Sequence, residues 1–246
     1  MLVRRKWLWV VAAVLALYAG GNYGLRHLVI LPSFSALEQD EAKKDVARCL
    51  DAIRREAHHL SRLAGDWAMW DDTYRFVQDG NQAYIDSNMA WASLEGASNI
   101  NLVYICDLTG RVVWGEAHDS SKGGRIAVEE FPDKSLPKDH FLLRHESLSS
   151  DRTGVILTSH GPMLVSSRPV VRSSGEGPRR GVLIMGRFLD EDVVETLREQ
   201  TRVDFRIKDA RGAELDEHER SILDRLSVQA WVMEEAGADL FRPMAW

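Results

Sequence analysis

Cysteine is scarce: Cys49 and Cys106 are the two in 246 residues. They form no Cys-x-x-Cys pair, which removes a thiol redox motif or a zinc knuckle, and two are few for a disulfide scaffold. Both read as small unpaired core residues, Cys49 in a helix and Cys106 in a strand. Basic charge is also short. There are 31 Lys and Arg against 37 Asp and Glu, a formal net charge of −6. Residues 1–31 hold Arg4, Arg5, Lys6 and Arg26 and no acid, so the remaining 215 residues carry −10. A body of that sign repels phosphate backbones, and no stripe of Lys or Arg offsets it, so nucleic acid is not an expected partner. Catalytic signatures are missing too. There is no GxxxxGK(S/T), no GxSxG and no HExxH, and Gly175-Glu176-Gly177-Pro178 lies between two strands, where it is no dinucleotide fingerprint. His58 and His59 are adjacent on a helix, so they point about 100° apart and cannot chelate one metal from one face. No catalytic residue, metal or cofactor is therefore expected.

One long apolar run is present. Arg4, Arg5 and Lys6 precede Trp7–Leu25, whose clearest polar interruption is Asn22. Nineteen helical residues reach roughly 28 Å, close to a bilayer's hydrocarbon thickness of about 30 Å. Trp7 and Trp9 stand at one edge and Tyr18 and Tyr23 toward the other, where amphipathic rings favour the interface. A cleaved signal peptide is the rival reading, but the run exceeds a usual signal core and lacks a clean small-x-small site. The expectation is an uncleaved anchor over 1–31, with the three basic residues cytoplasmic and the body outside.

Pro32 closes that segment. From Leu37 to about Gln78 there is no proline and one glycine, Gly65, and the spacing predicts a long helix. Val46, Leu50, Ile53, Ala57, Leu60, Ala64 and Trp67 recur in alternating steps of four and three, a heptad seam. The seam needs a partner, either the protein's own sheet or the same helix of a second subunit; a homodimer through residues 46–67 is expected. Asp79-Gly80-Asn81 breaks the helix, and a short helix runs from Gln82 to about Ser93. The period then changes. Asn101–Cys106 and Arg111–Gly115 read as a hairpin around Asp107-Leu108-Thr109-Gly110. Further strands are expected at Gly154–Ser159, Met163–Val171, Gly181–Phe188 and Val203–Lys208, with a helix over Asp190–Thr201 capped by Asp190. This order predicts an α+β domain in which a long helix packs on a PAS/Cache-like antiparallel sheet. Residues 209–246 read as an acidic C-terminal tail.

The most distinctive stretch is Asp66–Val77, DWAMWDDTYRFV. As a continuous helix it puts Asp66 and Trp70 on one face, and Trp67, Asp71 and Tyr74 on another. Carboxylates beside large aromatics need hydrogen-bond donors when they are buried. Such a set can cap the backbone amides of a neighbouring loop, or it can line a pocket. The stretch resembles the signature of the extracytoplasmic CHASE sensory domains, specifically their fourth class. The resemblance extends back to Pro32-Ser33-Phe34-Ser35-Ala36-Leu37-Glu38. It runs forward through Asn81, Tyr84, Ile85, Ser87 and Asn88, the hairpin at Asp107 and Gly110, and more loosely Ser166–Val171 and Gly181–Asp190, covering about residues 32–208.

The resemblance implies a periplasmic signal-input domain, in the bacterial inner membrane, for cyclic-di-GMP enzymes or histidine kinases. Its output domain and second membrane helix are not among these 246 residues, so the chain is expected to be a truncated product or a free-standing anchored module. A small-molecule ligand of unknown identity is expected. The candidate ligand-binding residues are Asp66, Trp67, Trp70, Asp71, Tyr74 and Asn88 from the motif region, Tyr104, Asp107 and Trp114 on the hairpin, and Arg168 and Arg187 on later strands. An arginine facing a cavity favours a carboxylate or phosphate. The alternative is a structural module that dimerises through its long helix and binds no small molecule.

Overall fold

Alternation in two central strands decides the architecture. In β1 (Leu102–Asp107), Leu102, Tyr104 and Cys106 enter one core, while Val103 and Ile105 enter another. In β6 (Gly181–Phe188), Val182 and Ile184 join the first core, and Leu183 and Met185 the second. A period of two with apolar residues in both phases requires cover on both faces of the sheet. In the computed structural model both faces are covered. The structure describes residues 2–91, 94, 96, 99–119, 123–208, 215–226, 231–235 and 241–245. The other strands of the sheet are β2 (Val112–Asp119), β3 (Gly124–Ile126), β4 (Arg152–Thr158) and β5 (Gly161–Val170). Their spatial order is β3-β2-β1-β6-β5-β4, antiparallel throughout.

The chain divides into two compact units, Met1–Arg48 with Ala213–Trp246, and Cys49–Gly212. In the second unit, one face of the sheet is packed by the C-terminal part of α2 (Leu31–Ala68), by α3 (Asp71–Asp79) and by α4 (Gln82–Asn88). Leu60, Ala64 and Ala68 of α2, Phe76 and Val77 of α3, and Tyr84 of α4 join the second core. The other face is covered by the long β3–β4 connection, which contributes Val128, Phe131, Leu136 and Leu142. The heptad seam finds its partner here: Leu60 and Ala64 are buried, and Ile53, Ala57 and Trp67 pack beside them on the chain's own sheet. Helix α5 (Glu191–Thr201) follows, and its Asp190 cap accepts the Val193 amide at 3.0 Å. The fold is α+β, as the order of elements predicts.

The first unit holds α1 (Leu2–Leu25), one π-helical turn at Arg26–Ile30 just before Pro32, and the beginning of α2. It also holds α6 (Glu217–Leu226) and a hairpin of β7 (Trp231–Glu235) with β8 (Phe241–Ala245). Along α1 the side chains of Trp7, Trp9, Val10, Val14, Leu17 and Tyr18 are exposed. Among the described residues no helix is long and apolar enough to cross a membrane.

Several expectations need correction. The long helix does not run to Gln78: α2 ends at Ala68, and Trp70 is extended. The short helix ends at Asn88; Ala92 and Ser93 lie outside the described residues. Residues 203–208 are not a strand. The Phe205 carbonyl accepts from Arg198 Nε at 2.7 Å, and Ile207 packs on the core, so this segment lies along α5 and pairs with no strand edge. The sixth strand is β3. The turn expected at Ala210-Arg211-Gly212 lies outside the described residues, and the tail carries a hairpin. Cys49 and Cys106 are buried and not in a disulfide, and burial pushes the Cys106 thiol up to about 12.

Candidate functional site

The DWAMWDD motif sits at a helix break that no proline or glycine creates. The carbonyl of Ala68, the last residue of α2, is taken by the Val171 amide at 3.1 Å, just beyond β5. The helix is therefore stopped by the sheet. Two residues later the chain turns into α3, with Asp71 and Asp72 in the first turn, where negative charge suits the helix dipole. Across the break Trp67 and Trp70 stack with centroids 5.1 Å apart. Asp66 stays exposed on α2.

From this break the motif clasps the β5–β6 loop. Asp71 Oδ1 accepts the Ser173 amide at 3.1 Å and Oδ2 accepts the Ser173 hydroxyl at 2.7 Å. Those bonds, with the Arg172 and Arg75 charges nearby, hold the Asp71 carboxyl below the usual carboxylate range. The Tyr74 hydroxyl accepts from Arg180 Nε at 2.9 Å and donates to the Pro178 carbonyl at 3.3 Å. The Arg172 and Arg180 guanidinium carbons lie 5.0 and 5.6 Å from the Tyr74 ring centroid. Behind these, Thr73 Oγ1 and the Tyr84 hydroxyl are 2.7 Å apart, and Phe76 stacks on Tyr84 at 4.4 Å. The motif thus does the first of the two things its composition allows: it caps a loop.

A cleft of about 290 Å³ opens beside the clasp, bordered by Gly65, Ala68 and Met69 of the helix end, by Leu148 and Ser149, and by Arg168, Pro169, Val171 and Gly175. Arg168 points from β5 toward α2, with Nη1 3.5 Å from Asp151 Oδ2.

The candidate residues fall into two groups. Trp67, Trp70, Asp71, Tyr74 and Arg168 cluster around the end of α2, and Asp66 stands exposed on its last turn. The others serve elsewhere. Tyr104 faces the opposite core. Its hydroxyl donates to the Phe131 carbonyl at 2.6 Å, its ring lies over Gly115, where a Cβ would stand 2.7 Å away, and burial pushes its pKa up to about 12. Asp107 staples the β1–β2 turn by accepting from Thr109 N and Oγ1 and from Arg111 N and Nε. Partial burial works against its charge, but these bonds outweigh that and hold its carboxyl low. Gly110 ends the turn with φ +87°, which glycine adopts without strain. Asn88 donates to the Tyr84 carbonyl within α4. Trp114 stacks with Trp91 at 6.4 Å. Arg187, expected at a pocket, is instead buried against α2: it pairs with Glu56 and donates to the Asn99 carbonyl at 3.0 Å. Ser173, Arg172 and Arg180 complete the clasp, and the one sequence signal for them is the arginine content of their loop. Gly65 stands out in sequence only as an isolated glycine.

With the fold and the clasp described, comparison names the family. Residues 52–208 match the CHASE4 domain, and the chain belongs to that family. It is 31% identical over 181 residues, 73% of this chain, to the methanogenesis regulatory histidine kinase FilI of Methanothrix harundinacea (strain 6Ac), and it spans 20% of that protein's length. Two solved structures share the fold. One is a domain of a sensory box/GGDEF family protein from Vibrio parahaemolyticus, with TM-score 0.53 and 9% identity over 83% of this chain and 88% of that one. The other is the extracellular domain of the histidine kinase vpHK1S-Z8, with TM-score 0.51 and 11% identity over 84% of this chain and 85% of that one. CHASE4 is a sensory input domain, and the kinase relative is catalytic through other parts of its length.

Proposed function

We propose that the chain is a membrane-anchored, extracytoplasmic sensory unit that binds a small molecule at Cys49–Gly212. In this reading it is the input portion of a histidine kinase or cyclic-di-GMP signalling protein. One observation carries the proposal. The end of α2 is tied to the chain after β5 through Val171, the start of α3 to the same loop through Ser173, and a cleft opens at that junction. An occupant of the cleft bears on the helix that leads back toward α1, and it shifts the helix if it prefers one of two arrangements. The anchor reading is supported by α1, whose 24 residues reach about 36 Å, carry Arg4, Arg5 and Lys6 near their start and expose large apolar side chains beyond them. A homodimer through α2 belongs to the same proposal. Because the seam from Ile53 to Trp67 is used on the chain's own sheet, the dimer contact falls to the turns around Val46 and Leu50.

The test is a domain swap into FilI, in which the stretch matched by this chain is exchanged for the corresponding residues here. Autophosphorylation is then followed against a panel of metabolites. The proposal expects at least one compound to change the rate. A rate indifferent to every compound, in a swap that still melts cooperatively, contradicts it and favours a module that only holds partners together.

A further inference from the structure

We infer that the cleft at the end of α2 is a binding site for a small organic carboxylate with a short apolar tail, and that Arg168 receives the carboxylate. The inference rests on the sensory reading above and gives it a site and a ligand class.

Arg168 is held in an unusual way. Its Nε and Nη2 lie 3.1 Å from where a Cβ on Gly65 would stand, a tight approach that even a methyl there would push back by a few tenths of an ångström. Glycine weakens a helix interior, yet Gly65 lies inside α2 at the position that seats Arg168. Among the described residues, Arg168 has one charged partner, Asp151 at 3.5 Å, and donates no hydrogen bond. Asp151 is also shared, accepting from Ser61 Oγ at 2.5 Å and from Thr153 Oγ1. The Arg168 side chain keeps 23% of its surface exposed. A half-sheltered guanidinium with spare donors is a receptor for a planar anion.

The surroundings favour an anion as well. Arg172, Arg179 and Arg180, on the loop beside the cleft, form no ion pair among the described residues. The acids nearest in this network are engaged, Asp71 by Ser173 and Asp151 as above. His145 reports the field: burial, then Arg179 and Arg152, with Arg168 adding, push its pKa down to about 4. Most of the remaining side chains on the wall are apolar, from Ala68, Met69, Leu148, Pro169 and Val171, with Ser149 as the one polar side chain besides Arg168. One guanidinium against apolar walls suits a monocarboxylate with a hydrocarbon tail. A phosphate dianion would need more donors than this cleft aims at it.

The test is thermal melting of the full chain with straight-chain monocarboxylates from acetate to octanoate and their primary amides. The same plate carries neutral sugars, amines and inorganic phosphate. The expected result is a rise in Tm with a carboxylate and none with its amide, lost in Arg168→Gln and in Met69→Trp. The second variant is designed to fill the cleft while keeping Arg168, and unliganded melts of both variants check that they fold. Equal shifts in wild type and both variants overturn the site and leave the sensory reading intact. A shift from a sugar, an amine or phosphate with none from carboxylates does the same. No shift from any compound overturns both.

Discussion

Asp71 and Ser173, 102 residues apart in the chain, are joined twice: one carboxylate oxygen takes the Ser173 amide and the other its hydroxyl. This pair ties the start of α3 to the β5–β6 loop and makes the motif a clasp. Asp71→Ala should free the Ser173 amide, because Ala offers no acceptor. Amide hydrogen exchange measures it. Ser173 should lose protection while the β1 amides keep theirs, and unchanged protection at Ser173 would show that the clasp does not hold the loop.

Phe76 is fully buried, stacks on Tyr84 at 4.4 Å and lies in the core that joins α2, α3 and the sheet. Phe76→Ala removes the ring and leaves a cavity. The expected loss is about 3–5 kcal/mol, read by denaturant unfolding. A loss under about 1 kcal/mol would mean that α3 does not close this core.

The Arg187–Glu56 pair links β6 to α2 with 6% and 24% of the two side chains exposed. Arg187→Leu alone leaves Glu56 partly sheltered without its cation and should cost about 2–3 kcal/mol, below the range for a fully buried pair. Adding Glu56→Leu should recover most of that. A double-mutant cycle with no coupling would show that Arg187 acts independently of Glu56.

His145 lies between Ser150 Oγ at 2.7 Å and Ser167 Oγ at 3.0 Å, and its pKa is pushed down to about 4 from an ordinary 6.5. Between those values the unfolded chain binds a proton that the folded chain refuses. The stability from neutral His145 is therefore complete above about pH 6.5 and declines as pH falls toward 4. The decline is on the order of 2 kcal/mol, since the ring is only half-buried. His145→Asn, whose amide can still meet both serines, should flatten the wild-type slope of Tm against pH in that window. Equal slopes would place the acid sensitivity elsewhere.

Much of the fold was legible in the sequence because it rests on local signals. Gly181–Phe188 is a short, largely apolar run of strand length, Asp190 caps its helix, and Asp107 with Gly110 makes a turn that any hairpin would use. The misses share a physical cause, since each depends on a partner far along the chain. Helix α2 ends at Ala68 because Val171 takes its carbonyl, and nothing within residues 66–71 encodes that bond. Residues 203–208 have the composition of a strand, but they run beside α5, where Arg198 takes the Phe205 carbonyl. The candidate site was half legible. The aromatic and acidic residues of the motif stand out in sequence, whereas the Gly65–Arg168 seat appears only when a helix and a strand 103 positions apart meet.

The most direct test of the sensory account is equilibrium binding. The full chain would be titrated by calorimetry against a broad metabolite panel, with a Phe76→Ala protein as the control for a loosened core. The account predicts saturable binding of a small molecule by the wild type, at one site per chain, and weaker binding by the variant. Absence of heat from every compound, with a protein shown to be folded, would contradict it and leave a domain that works only through contacts with other proteins.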